Sequence, residues 1–487
     1  MQRNRDISII VGSLKGLFVI SAILMALMMV LSIIFEEPMG VMGFLAGLIV
    51  SLTLAVAIHF LVPEYETLDL KHAIIIAALA YIFIPAVSSI PLIISTGMVP
   101  IDAFFEAMSG WTGSGFSLII APDRVGRSIQ LWRSLMQWIG GAGVILLMVT
   151  ILIRPGTSTY VLYQSEARKE KIKPSIRSTL KTIWKLYMVL TIISVLLLFV
   201  AGMPLWDSLN TAMVTIATGG FGLYADSIAH YNSPVIELIL ILIMIAGSLP
   251  FAVLYTLFRY QIHTLLHDAQ VRAFAAFVIV GGTLLVVQNS LFQYDDAFNS
   301  LRYSVFQFVS AVTTCGLQTT DLSGWSPTAL MILSIAMIIG GCAGSTAGGI
   351  KIARAIFLVN QVRLWLIKTL MSKKAVVVLK LGEHKVVEQS MTAELNEATL
   401  ISFLWIVNIV LSVMLLSNIL GTDVSLSRII FEVCSAQGNV GISSGILTPA
   451  ISPLAKGIFI VDMWMGRLEI VPVILLVRAV VKGFGRY

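Results

Sequence analysis

The sequence predicts an all-α integral membrane protein built from four fused repeats, preceded by two additional transmembrane helices. Three observations lead there. Of 487 residues, 57% are hydrophobic and 12% charged, whereas soluble proteins carry about a quarter charged residues. Many apolar runs, 17–35 and 238–257 among them, reach the roughly 20 residues that a helix needs to cross a bilayer. Between successive runs lie four segments that share one pattern.

Taken in order, the first run follows a short basic stretch, MQRNRD. It exceeds the apolar length of a signal peptide, no small-residue cleavage site follows, and a second span comes at once, so it reads as a retained helix. Helices are expected over 15–35, 41–62, 73–95, 131–153, 182–203, 234–258, 273–293, 327–350, 397–420 and 455–481. They group into a two-helix segment (1–70) and four units, 71–155, 180–260, 270–370 and 395–487. Linkers 154–185 and 351–385 are rich in lysine and arginine, whereas 96–130, 204–233 and 294–326 hold no lysine. The positive-inside rule then puts both termini in the cytoplasm of a multi-pass cell-membrane protein. Arg124, Arg127, Arg133, Arg302, Arg428 and Lys456 fall on or near the opposite side and run against that rule. The net charge of +6 is accounted for by this topology and gives no reason to expect nucleic acid. Cys315, Cys342 and Cys434 have no paired spacing of the zinc or disulfide kind.

The four intervening segments superpose. They read Asp102-AFFEAMSGWTGSGF, Trp206-DSLNTAMVTIATGG, Tyr303-SVFQFVSAVTTCGL and Arg428-IIFEVCSAQGNVGI. Aligned this way, one glycine is shared: Gly115, Gly219, Gly316 and Gly441. Nine residues earlier stands a polar residue, Glu106, Asn210, Gln307 or Glu432, placed to support the strip from behind. Repetition of this kind sets architecture before local detail does. A short apolar helix followed by small and polar residues fits a chain that enters the membrane partway and returns extended. Such backbone survives only against protein or a water-filled path. Four copies around one axis would present rings of carbonyl oxygens, able to replace the hydration shell of an ion. The expected fold is therefore four helix–pore-helix–helix repeats around a central ion pore.

At this point the residues resemble the TrkH/KtrB family of potassium transporters over essentially the whole chain. Beyond the four strips, the resemblance rests on Trp132-RSLMQWIGGAGV, Ala246-GSLPF, Ile339-GGCAGSTAGGIK and Met465-GRLEI. The two extra N-terminal helices are similar to TrkH rather than to the shorter KtrB. The resemblance implies potassium uptake, with filter carbonyls from Gly113, Ser114 and Gly115; Ala217, Thr218 and Gly219; Thr314, Cys315 and Gly316; and Asn439, Val440 and Gly441. It also implies a homodimer and a separate TrkA-like cytosolic regulatory subunit that binds nucleotides.

The glycine density of 340–349 reads as a helix break, since glycine costs about 1 kcal/mol relative to alanine inside a helix; close helix packing of the small-xxx-small type is the alternative. The resemblance implies an intramembrane gate loop containing Gly340, Gly341, Gly344, Ser345, Thr346, Gly348 and Gly349. Lys351 at its end would repel cations or anchor to headgroups. Arg467, charged inside an apolar span, should face the pore or pair with a carboxylate such as Glu432. Only the third inner helix carries such a break and only the fourth the arginine, which suits gating by one element. A proton- or sodium-coupled transporter is the rival reading. His263 and His267, four residues apart, fit a solvated face better than a metal site, and no nucleophile–base constellation or P-loop suggests an enzyme. Potassium is the only metal expected, as substrate rather than cofactor, and membrane lipid would meet the basic linkers.

Overall fold

The computed structural model describes residues 2–63, 69–143, 176–259, 262–370, 378–381 and 384–483. Two long helices come first, α1 (Gln2–Ile34) and α2 (Pro38–Leu61). They pack on α3 (Leu70–Thr96), which opens the first repeat. Each repeat then runs long helix, short buried helix, extended strip and inner helix. The first is α3, α4 (Pro100–Thr112) and α5 (Arg127–Ala142). The second is α6 (Ile176–Val200), α7 (Leu205–Ile216), α8 (Pro234–Ser248) and α9 (Phe251–Leu257). A short helix, α10 (Ile262–His267), leads into the third. That repeat holds α11 (Ala269–Phe292), α12 (Ala297–Val312), α13 (Pro327–Ile339) and α14 (Ile352–Leu370). The fourth holds α15 (Glu388–Leu420), α16 (Leu426–Gln437), α17 (Pro453–Arg467) and α18 (Val471–Lys482). A small antiparallel pair, β1 (Val378–Leu381) and β2 (His384–Val387), precedes α15.

Among the described residues six helices are long and apolar enough to span a membrane, seven with the bent pair α8–α9 counted as one. The long helices α2, α6, α11 and α15 turn apolar side chains outward, with Ile49, Leu196, Val280 and Leu411 exposed. Lipid is the medium in which such surfaces are stable. The short helices α4, α7, α12 and α16 are buried almost throughout.

Local chemistry fixes where the inner helices begin. Ser233, Ser326 and Ser452 each precede a proline, and each serine accepts from an amide three residues on, at Ile236, Ala329 and Ala455. Serine caps the free amides and proline at the first helical position has no amide to satisfy. α5 lacks that dipeptide. Its cap comes from Glu37, between α1 and α2, whose carboxylate accepts from Arg127 N (2.5 Å) and Ser128 N (3.1 Å). The two added helices thereby hold the first repeat.

Three expectations change. α5 starts at Arg127 and ends at Ala142 instead of spanning 131–153; the rest of that span, 144–153, and linker residues 154–175 lie outside the described residues. The spans expected over 234–258 and 455–481 are each interrupted. α8 and α9 meet at 114° across Leu249-Pro250, where proline removes a helical hydrogen bond. α17 stops at Arg467 and α18 restarts at Val471, through Glu469 and Ile470 at positive φ. A break is thus not peculiar to the third inner helix. What distinguishes the third is the length of its interruption, residues 340–351.

Four of the six cations that ran against the charge rule turn inward to partners, whereas Arg124 and Arg127 stay exposed. Arg133 Nε donates to Glu106 (2.8 Å), Arg302 Nε to Glu237 (2.8 Å) and Lys456 Nζ to Asp102 (2.5 Å). Arg428 binds the hydroxyl and carbonyl of Ser444. Paired charges of this kind report packing between helices, not topology. Three of these contacts cross between repeats: Lys456 joins the fourth to the first, Arg133 reaches Gly222 O of the second (3.1 Å), and Arg302 joins the third to the second.

Candidate permeation site

Each short helix ends on the same turn. The amide of Ser114 donates to Ser109 O (2.9 Å), Gly219 to Val214 O (2.8 Å), Cys315 to Ser310 O (3.0 Å) and Val440 to Ser435 O (2.9 Å). The residue before each of these has positive φ: Gly113 (+74°), Thr218 (+51°), Thr314 (+56°) and Asn439 (+53°). So does the residue after: Gly115 (+78°), Gly220 (+79°), Gly316 (+88°) and Gly441 (+88°). The alternation turns successive carbonyls to one side, and the second position needs glycine because a side chain there is both strained and unaccommodated.

This geometry moves the second repeat by one residue. Its shared glycine is Gly220, not Gly219, and the strip equivalent to Gly113–Gly115 is Thr218–Gly220; Ala217 is the last right-handed residue, as Thr313 and Gly438 are. Adjacent glycines in the sequence are compatible with either register. The turn hydrogen bond chooses between them. The residue nine before Gly220 is Thr211. Asn210 accordingly makes none of the supporting contacts expected of it: its amide nitrogen donates back to Trp206 O (2.9 Å) and its Oδ1 is buried without a hydrogen-bond partner.

The other three supports do meet the returning strip. Glu106 accepts from Leu118 N (2.8 Å) and Ser117 Oγ (2.9 Å), and Glu432 from Ser444 N (2.7 Å) and Ser443 Oγ (2.8 Å). Gln307 Nε2 donates to Thr319 Oγ1 (3.4 Å). Glu432 is therefore engaged in its own strip and is not the partner of Arg467.

The four strips close on one another. A Cβ on Gly115 would overlap Gly219 O, one on Gly220 would overlap Cys315 O, one on Gly316 Val440 O, and one on Gly441 Ser114 O. Each glycine thus abuts the carbonyl that precedes the glycine of the next repeat, and the sequence of contacts returns to its start. Side chains add to the seams, Gln318 Nε2 of the third strip donating to Ser443 O of the fourth (3.1 Å). Gln137 of α5 donates to Gly219 O (2.5 Å) and accepts from Phe221 N (3.0 Å). Asn439 donates to Ser114 Oγ (2.7 Å) and Met463 O (2.9 Å). Gln137 stands inside the Trp132–Val144 motif, where only its polarity among apolar neighbours marked it. In the loop that follows the third strip, the hydroxyl and amide of Ser323 hold Asp321 below the usual carboxylate range.

Residues 340–351 lie against the other end of the strips. Gly340, Gly344, Gly349 and Lys351 have positive φ. Cys342 N donates to Ser248 O (3.1 Å), Phe251 N to Gly344 O (3.0 Å) and Thr346 Oγ1 to Gly247 O (2.9 Å), which fastens the loop to the α8–α9 bend. Gly348 N donates to Thr314 Oγ1 (2.6 Å), and a Cβ on Gly348 would overlap Gly438 O. Gly341 packs on the Ala347 methyl, Ser345 Oγ donates to Cys342 O (2.7 Å), and Lys351 Nζ donates to Ala347 O. Arg467 bridges this loop to the first repeat: it donates to Thr346 O (3.3 Å), Gly141 O (3.1 Å) and Gly140 O. Two residues on, Glu469 pairs with Arg354 of α14. The loop therefore touches the second, third and fourth repeats itself and the first through Arg467.

The chain matches the family model described as TrkH, cation transport protein, over residues 41–482. It is 32% identical over 478 residues to an uncharacterized cation transporter of Methanocaldococcus jannaschii, covering 97% of this chain and 96% of that one. It is 30% identical to the Trk system potassium uptake protein TrkH of Salmonella typhimurium, covering 85% and 86%. The crystal structure of the potassium transporter TrkH from Vibrio parahaemolyticus superposes with a TM-score of 0.82 at 25% identity over 98% of both chains. With four strips closing one carbonyl ring and a match of this extent, the chain belongs to the TrkH family of cation transport proteins.

Proposed function

We propose that the chain conducts potassium into the cell through the four strips and is shut by residues 340–351 beneath them. The observation that carries this reading is the closed circuit Gly115–Gly219, Gly220–Cys315, Gly316–Val440 and Gly441–Ser114. Dehydrating an ion is tolerable only where fixed oxygens replace its water, and backbone carbonyls do so without carrying charge. The ring-lining residues are Gly113, Ser114 and Gly115; Thr218, Gly219 and Gly220; Thr314, Cys315 and Gly316; and Asn439, Val440 and Gly441. The potassium uptake named for the Salmonella relative, at 30% identity, supports the choice of ion. No catalytic chemistry and no bound cofactor belong to this reading; potassium is the substrate.

Position supports the gate role: the 340–351 loop lies against the end of the ring and Arg467 places a cation beside it. In this reading both termini are cytoplasmic, the membrane subunit pairs with a second copy, and a TrkA-like nucleotide-binding ring acts on the loop from the cytosol. Uptake of potassium, rubidium and sodium into liposomes bearing the purified protein tests it, with Gly316→Ser alongside. Potassium and rubidium flux above sodium, with sodium entering through the variant, is the expected result. Equal sodium and potassium flux in the unaltered protein overturns the selective filter.

A further inference from the structure

The strips and the loop beneath them are joined by two threonine hydroxyls. Thr314 Oγ1 accepts from Gly348 N at 2.6 Å. Thr218 Oγ1 lies 3.2 Å from Thr346 Oγ1 and 2.7 Å from its own Ala217 O. Both threonines occupy the positive-φ position of their strips, at +56° and +51°. That conformation is unfavourable for a β-branched residue, so the fold accepts strain there to aim a hydroxyl at the loop. The equivalent positions of the other repeats give the loop no side-chain hydrogen bond. Gly113 has no side chain, and Asn439 is turned to Ser114 Oγ and Met463 O.

We propose that Thr218 and Thr314 are positioning residues of the gate: their hydroxyls latch the loop shut against the filter. The proposal rests on the loop being the gate. Thr346 is the hub on the loop side, since its hydroxyl also meets Gly247 O (2.9 Å) and Ile216 O (3.1 Å) while its carbonyl accepts from Arg467. Gly348 N is buried, so lifting the loop away from Thr314 strips a donor of its partner inside the protein. The backbone amide cannot be mutated away, whereas the accepting oxygen can. Two of the four strips thus do double duty, lining the path with carbonyls and holding the gate with side chains.

The test is rubidium uptake into liposomes with no cytosolic partner, for Thr314→Val, Thr314→Ser, Thr218→Val and a chain lacking 343–347. Losing one buried hydrogen bond shifts a closed–open equilibrium by about fivefold. Thr314→Val should therefore raise uptake about fivefold, and Thr314→Ser, which keeps the accepting oxygen, should leak clearly less than valine. In the loop-deleted chain, where there is nothing to latch, Thr314→Val should add nothing. An unchanged rate for the valine variant, or an effect that multiplies with that of the deletion, overturns the latch and assigns Thr314 to the filter alone. A deleted chain no leakier than the full one overturns the loop as gate, a separate result from the failure of the latch. Labelling of Cys342, which is buried in the loop, gives a readout independent of flux. A small thiol reagent should modify it faster in Thr218→Val and Thr314→Val; equal labelling in all variants counts against the proposal.

Discussion

Replacing Gly220 with alanine separates the register seen in the structure from the one suggested by the sequence. At φ +79° an alanine carries strain of about 1–3 kcal/mol. Its Cβ would also overlap Cys315 O and lie 3.0 Å from both Cα and C of Gly316. These are backbone atoms of the neighbouring strip, so relief requires the ring itself to move. If that strain appears as lost discrimination between potassium and sodium, 1–3 kcal/mol corresponds to about 5- to 150-fold. Gly219→Ala is the control. Its Cβ would meet the Gln137 amide at 2.6 Å, a side-chain end able to swing away, and the Gln137 Cβ at 3.0 Å, which must give by a few tenths of an ångström. The loss is then the two hydrogen bonds of that amide, to Gly219 O and from Phe221 N, about 2 kcal/mol together or about thirtyfold at most. The measurement is the ratio of rubidium to sodium uptake in liposomes for both variants. Gly97→Ala, at φ +71° with open space around it, reports what strain alone does to stability. A Gly219→Ala more damaging than Gly220→Ala would refute the register and the ring drawn from it.

Other residues give further expectations. Arg467→Gln removes charged contacts to Thr346 O, Gly140 O and Gly141 O, each typically about 1.5–3 kcal/mol, and should raise uptake without a cytosolic partner at least tenfold; unaltered flux would remove Arg467 from the gate. Lys456→Met leaves Asp102 charged and buried, which should cost about 3–5 kcal/mol and lower the thermal midpoint in detergent, while Lys456→Met with Asp102→Leu recovers most of it. Glu37→Gln weakens the cap on α5 and should destabilise by about 1 kcal/mol, read as a lower unfolding midpoint with ion discrimination intact. Gly457→Ala, inside α17 with nothing within 4 Å, should stabilise by up to about 1 kcal/mol; loss of stability there would mean the position is crowded.

The long helices and the four strips were legible because each rests on a strong local signal: apolar length in one case, an apolar helix followed by glycine in the other. The register of the second strip was not, because Gly219 and Gly220 are indistinguishable in composition and differ only in which amide closes the turn. The ends of the inner helices were misread for a related reason. Hydropathy continues through Leu249-Pro250 and through 468–470, so an apolar count bridges both breaks, and only φ and the angle between helices separate them. Lys456 and Arg302 were legible as anomalies, charges on the wrong side, but their partners lie 354 and 65 residues away in the chain. No spacing rule reaches that far.

The seams explain why the strips can differ so widely in sequence. The contacts that close the ring are glycine against carbonyl, and both are backbone, so Ser114, Gly219, Cys315 and Val440 occupy one position without changing what faces the path. The side chains are then free for other work. Cys315 and Val440 point into buried apolar packing, Ser114 receives Asn439, and Gly219 leaves room for Gln137. A tetramer of identical subunits would have to make every seam alike. Fusion into one chain lets Gln137 hold the seam between the first and second strips, Asn439 that between the fourth and first, and the two threonines face the loop. The loop itself is single, and an arginine from the fourth repeat ties it to the first. Fourfold geometry sets where the ring carbonyls lie, while departures from fourfold symmetry decide which side meets the loop.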